Sequence, residues 1–179
     1  MLPNKKAITE FEKEFRRKYH EASLIVALLG ASGKGLDLRR KIKEILKKEG
    51  IIGIVPEDDF PPDIASDLVE RSTLRKGDVE LVFINVESWG SATEFGHFYM
   101  DKKVAPKLRV LVNYQYHPLH GGSRSYLSDA CLTYMAAYGH VYPYKESGEF
   151  PFLMVDEVIL KLAKRYKEWK VLGKEIFSR

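Results

Sequence analysis

Glu94 is the residue in this chain with the most chemical potential. It follows the small residues Ser91, Ala92 and Thr93 and precedes Gly96, a pattern that lets a carboxylate face an open cleft from the first turns of a helix. A carboxylate so placed can attack a sugar carbon or stabilise an oxocarbenium ion; on a solvated surface it would only favour the helix N-terminus by up to about 1 kcal/mol. A second acidic group is needed for glycoside chemistry, and Glu70, Asp78, Glu57, Asp58 and Asp59 are the candidates, as acid or as acceptor of a ribose hydroxyl. The run Gly30-Ala31-Ser32-Gly33-Lys34-Gly35 has the composition of an anion-binding turn, in which glycine amides and a helix N-terminus face a phosphate. It is neither a Walker loop, since Leu28 and Gly35 stand where Gly and Ser/Thr are required, nor a G-x-G-x-x-G fingerprint.

Other chemistries find less support. No H-E-x-x-H or G-x-S-x-G string is present, and His117-x-x-His120 sits in a Pro/Gly loop without a carboxylate partner, so neither a metal nor a cofactor is expected. Cys131, the single cysteine, lies in an apolar helical context as a buried thiol. The 179 residues, 45% hydrophobic and 30% charged, suit one domain with one sizeable core, and no apolar run approaches the length of a membrane span. A cytoplasmic protein with no membrane partner is expected. The net charge of +4 is uneven: residues 1–20 and 161–179 together carry +8, leaving −4 between them. Basic residues on terminal helices form solvated faces, and no nucleic-acid partner is expected.

These residues need elements to position them, and the chain alternates apolar runs of strand length with segments of helical period. Strands are expected at 23–29, 51–55, 79–85, 108–113 and 140–144. Helices are expected from the Gly loop to Gly50, near 63–76, from a cap at Ser91 or Thr93 to about Lys103, over 126–138, and along the stripe Val155 to Trp169. Residues 5–20 form an extra leading helix, and 56–62 break the chain. The alternation predicts a flavodoxin-like, doubly wound α/β domain: a five-stranded parallel sheet, order 2-1-3-4-5, with helices on both faces. Ligands of such folds bind beyond the carboxyl ends of strands one and three, where the Gly loop and the Glu94 segment both fall.

The string Ser88-Trp89-Gly90-Ser91-Ala92-Thr93-Glu94-Phe95-Gly96 resembles the S-x-G-x-x-x-E-x-G signature of 2′-deoxynucleoside 5′-phosphate N-hydrolases, in the nucleoside 2-deoxyribosyltransferase superfamily. The resemblance implies Glu94 as nucleophile, Glu70 as the second catalytic carboxyl and Ser88 as a ligand of the 5′-phosphate. It further implies substrate contacts from Gly30, Ser32, Gly33, Lys34 and Gly35, from Gly90 and Asp78, and from Ser128 of a neighbouring subunit. The transferase branch carries Asp where this chain has Ser88, which argues against base transfer. The implied activity is hydrolysis of the N-glycosidic bond of a nucleotide, with retention at the sugar carbon. A TIR-like NAD-cleaving domain and a non-catalytic nucleotide sensor are the alternatives. Exposed aromatics expected at Tyr126, Tyr134 and Tyr138 suggest a homodimer that completes the site.

Overall fold

The computed structural model describes residues 5–177, with side chains described to Gly173. Five strands, β1 (Ile25–Leu29), β2 (Ile52–Ile54), β3 (Val79–Val86), β4 (Leu108–Asn113) and β5 (Val141–Tyr144), form one all-parallel sheet in the order β2-β1-β3-β4-β5. The expected doubly wound α/β topology is the one observed. Seven helices surround it: α1 (Lys5–Glu21), α2 (Lys34–Lys48), α3 (Pro56–Asp59), α4 (Ser66–Leu74), α5 (Trp89–Phe98), α6 (Tyr126–Tyr138) and α7 (Val155–Phe177). None is long and apolar enough to cross a membrane.

Strands covered on both faces carry apolar side chains toward both, which is why β1, the Leu81–Ile84 stretch of β3 and the Val110–Val112 stretch of β4 read as apolar runs. Alternate residues then feed two cores. Ala27, Leu29, Val82, Ile84, Val110 and Val112 pack against Leu74 of α4, Phe95 and Phe98 of α5, and Cys131 and Tyr134 of α6. Val26, Leu28, Leu81, Phe83 and Leu111 pack against Ile42 and Leu46 of α2 and Val158, Ile159 and Ala163 of α7. Each Val, Leu, Ile or Phe among them, removed from water, contributes about 1.5–3 kcal/mol. Right-handed crossovers produce this division: the chain turns back from β1 to β2 over one face and advances through β3, β4 and β5 over the other.

Three expectations about elements are corrected. Residues 56–59 form the short α3, opened by Pro56 at its first position, where a missing N–H costs nothing. Helix α5 ends at Phe98 rather than near Lys103, and Ser88 caps it, not Ser91 or Thr93. Tyr134 is not a surface aromatic: it is 1% exposed, meets the Phe95 ring edge-on at 5.8 Å and donates its hydroxyl to the carbonyls of Ala105 and Leu108.

Candidate active site

Three helices each turn one charged residue toward the sheet. On α2 the inward line is Arg39, Ile42 and Leu46; on α4 it is Ser66, Glu70 and Leu74, four residues apart; on α5 Glu94 stands beside the buried Phe95, between Ser91 and Phe98. Because α2 and α4–α5 cover opposite faces, the three residues meet only beyond the strand ends, at the reversal between β1 and β3. There Arg39, Glu70 and Glu94 line a cleft of about 150 Å³ together with Leu29, Gly30, Pro56, Glu57 and Ser66.

Arg39 forms the rigid part of this cleft. It is 4% exposed and forks onto Glu57, with Nη1 2.7 Å from Oε2 and Nη2 2.6 Å from Oε1. The same nitrogens donate to Leu28 O (3.3 Å) and Ala31 O (2.8 Å), the backbone on either side of the strand end. A two-pronged pair of this kind fixes orientation as well as charge. Its Nε is buried and unpartnered, as is Oε2 of Glu94.

The two catalytic candidates are perturbed together. Burial, then the nearby Glu94 and Glu57 charges, push the Glu70 carboxyl up to about 8, with Arg39 opposing. Burial pushes Glu94 up to about 7, while Arg39 draws it down and Glu57 adds to the rise. The two share one cleft, so their protons come off in two steps that belong to the pair. With both carboxyls pushed up toward neutral, the cleft can hold one carboxylate and one carboxylic acid, the combination that acid-assisted attack on a glycosidic bond uses.

The Gly loop stands at the same end but differs from a simple phosphate cradle. Gly33 caps α2 with φ of 60°, a conformation glycine adopts without strain. At Gly35 a Cβ would lie 2.6 Å from Glu87 Oε1, so the Glu87 carboxylate already rests against the loop. Burial pushes that carboxyl up, and Arg39 opposes the rise. Ser32 and Lys34 are exposed beside it. An anion at Gly35 would share its place with Glu87.

The family described as STM3845 retron effector protein matches residues 36–177, most of the chain. The chain belongs to this family. The match takes in Arg39, Glu57, Glu70, Ser88, Glu94 and Ser128 and begins just after Gly35. The curated proteins contain no match to the chain.

In this member of the STM3845 retron effector family, the remaining expected residues fall into three groups. Ser88 and Gly90 open α5. The Ser88 hydroxyl accepts from Ser91 N at 3.2 Å while Ser91 Oγ accepts from Ser88 N at 3.0 Å, a reciprocal capping box. Ser128 is buried on the first turn of α6, where Ser125 caps its N–H, and it is not among the residues of the Glu94 cleft. Asp78 is displaced altogether. It precedes β3 and therefore lies at the amino end of the sheet, an eight-residue strand or about 26 Å from the carboxyl end, exposed to solvent.

Of the other acidic residues, Asp58 pairs with Arg40 and Asp59 with Lys43, along the outer side of α2, and only Glu57 reaches the cleft. His117 is 2% exposed; its Nδ1 accepts from Leu119 N and its Nε2 donates to Val141 O, so both ring nitrogens are engaged. Cys131 is buried, with its thiol pushed up to about 12, an inert core thiol. Arg39 is the residue that sequence reasoning missed. Its signal is positional: among the basic residues of α2 it alone falls on the line of Ile42 and Leu46.

Proposed function

We propose that this protein hydrolyses the N-glycosidic bond of a nucleotide, with Glu94 as nucleophile and Glu70 as acid and then base. The observation that carries the reading is the pair itself: two half-buried carboxyls in one cleft, both pushed up toward neutral by burial. In the first step the Glu94 carboxylate bonds to the sugar carbon as the carbon–nitrogen bond breaks, and the departing base takes the Glu70 proton. In the second, Glu70 accepts a proton from water, whose oxygen attacks the same carbon and frees Glu94. Two displacements give retention.

The cleft is smaller than the roughly 300–1,000 Å³ of a site that engulfs a whole ligand, so it suits the reacting part of the sugar with base and phosphate outside. Because Glu87 occupies Gly35, the N-terminus of α5, with Ser88 and Gly90, is the better place for a 5′-phosphate. A two-fold dimer is part of the same reading. Tyr126 is 87% exposed at the start of α6, next to Ser128, and covering it would bring a neighbour to that helix end. An activity that consumes nucleotides is compatible with the effector role in the family's name.

The test is incubation with ribo- and deoxyribonucleoside 5′-monophosphates and NAD, followed by chromatography for free base, beside Glu94→Gln. Base release by the wild type alone supports the reading. Nicotinamide release from NAD alone would favour the TIR-like alternative, and binding without release a sensor. Light scattering against dilution, with activity measured in parallel, tests the dimer.

A further inference from the structure

We infer that Arg39 is a positioning residue for Glu94: a guanidinium fixed beneath the cleft that holds the Glu94 carboxyl in its charged form and masks the competing charge of Glu57. The inference rests on the proposed role of Glu94, yet its evidence is geometric. Arg39 is 4% exposed, and its four hydrogen bonds anchor it to two backbone carbonyls at the strand end and to the Glu57 carboxylate of α3. A cation held this way keeps its place when a substrate enters, so it costs no reorganisation at the moment of reaction.

The groups that line the cleft with Glu94 are few. Helix α4 contributes Glu70 and Ser66, α3 contributes Glu57, and α2 contributes Arg39; Asp67 acts at one remove, through Glu70. Three carboxyls and one cation would leave all three hard to ionise. The fork onto Glu57 changes the balance. It compensates one carboxylate with the cation, and the cation stays in the cleft that Glu94 lines, where its charge favours the Glu94 carboxylate. Neither Arg39 nor Glu57 is required to touch the reacting atoms for this.

A purely structural Arg39 would tie Leu28, Ala31 and Glu57 together and leave Glu94 unaffected. The experiment that separates the two roles needs no substrate. The full chain is prepared with ¹³C-carboxyl glutamate, and the Glu94 resonance is assigned as the one lost in Glu94→Gln. Its midpoint is then followed in the wild type, Arg39→Met and Glu57→Gln. Arg39→Met should raise the Glu94 midpoint by about 1 pH unit or more, the lower end of what an adjacent Arg does to a carboxyl. Glu57→Gln should lower it, because a negative neighbour is gone and Arg39 remains. The acid limb of base release should move with the midpoint in each case.

An unchanged midpoint in folded Arg39→Met overturns the inference, and so does an unchanged or raised midpoint in Glu57→Gln. Arg39→Gln, a neutral replacement that can still bond the strand-end carbonyls, decides the matter if Arg39→Met does not fold: its Glu94 midpoint should rise in the same way, and an unchanged one overturns the inference. Failure of the proposed function looks different: the midpoints shift as stated while no nucleotide loses its base. Base release that depends on Glu94, with midpoints that do not respond, would remove Arg39 alone.

Discussion

Among the described residues two cations are buried, and their surroundings differ. Lys167 of α7, at the amino end of the sheet, is fully buried, donates to the carbonyls of Glu49 and Gly50 and lies 4.4 Å from the centre of the Tyr19 ring. Its partners are neutral groups at the C-terminal end of α2, where a cation also opposes the helix dipole. It ties three helices together. Arg39 answers a carboxylate, and two further carboxyls line the same cleft with a buried Glu94 oxygen left without a partner. The first arrangement satisfies a cation with backbone carbonyls and closes a fold, although the Tyr19 hydroxyl beside it is also buried without a partner; the second gathers several ionisable groups around its unpartnered atoms, as a site awaiting a ligand does.

The strongest way to break this comparison is to remove the key group at each end. Glu94→Gln should lower base release by a factor of about 10³ or more with the thermal midpoint little changed, as for loss of a nucleophile. Lys167→Met should do the opposite, leaving kcat within about twofold while costing roughly 1–3 kcal/mol for the stranded carbonyls. Steady-state kinetics and thermal unfolding on both variants give the four values, and a stable, inactive Lys167→Met would invert the assignment of the two ends.

The pH dependence sharpens the carboxylate end. Glu94 must be ionised to attack, so activity falls tenfold per unit as pH drops below about 7. Glu70 must be protonated to donate, so activity falls as pH rises above about 8. A narrow bell between the two is expected in kcat/KM, with limbs that belong to the pair rather than to either residue. A profile flat from pH 5 to 9 would show that neither carboxyl takes part.

Stability should carry the same signature with its sign fixed. Folding raises the Glu70 carboxyl from about 4.3 in an unfolded chain to about 8, so the fold holds a proton that the unfolded state releases. Stability is therefore greatest below the unfolded value and is lost as pH rises through about 8. Glu70→Gln removes this dependence: near pH 4.5 it should match the wild type, and at pH 8.5 it should unfold a few degrees higher while losing most of its activity. Equal unfolding temperatures at pH 8.5 would mean that Glu70 is solvated.

What the sequence made legible follows from the same physics. Strands buried on both faces are apolar along most of their length, so β1, β3 and β4 were readable to within a residue or two, and β4 and α6 at both ends. Helix α3 has four residues and no period to read. Arg39 was hidden because α2 is rich in Lys and Arg; only its angle, shared with Ile42 and Leu46, separates it from its neighbour Arg40. Tyr134, expected at the surface, is buried because it stands three residues after Cys131 on α6 and shares its inward face. Asp78 failed for a topological reason: in a parallel sheet every residue that opens a strand lies at the end away from the ligands, however well its separation from Ser88 matches a motif.

The smallest effect concerns Ser88, where a cap and a phosphate contact compete for one hydroxyl. As a cap, it accepts from Ser91 N, and replacement by Ala should cost about 1 kcal/mol whatever the substrate. Aspartate caps as well as serine does, so Ser88→Asp should unfold close to the wild type. Its added charge, however, would sit where a 5′-phosphate is proposed to lie. Like charges in contact repel, so Ser88→Asp should reduce turnover of nucleoside monophosphates at least tenfold and leave the unphosphorylated nucleosides nearly unaffected. The ratio of the two rates cancels any general loss of active protein. If Ser88→Asp slows both substrates equally, Ser88 is a cap and nothing more, and the phosphate must be sought elsewhere along the strand ends.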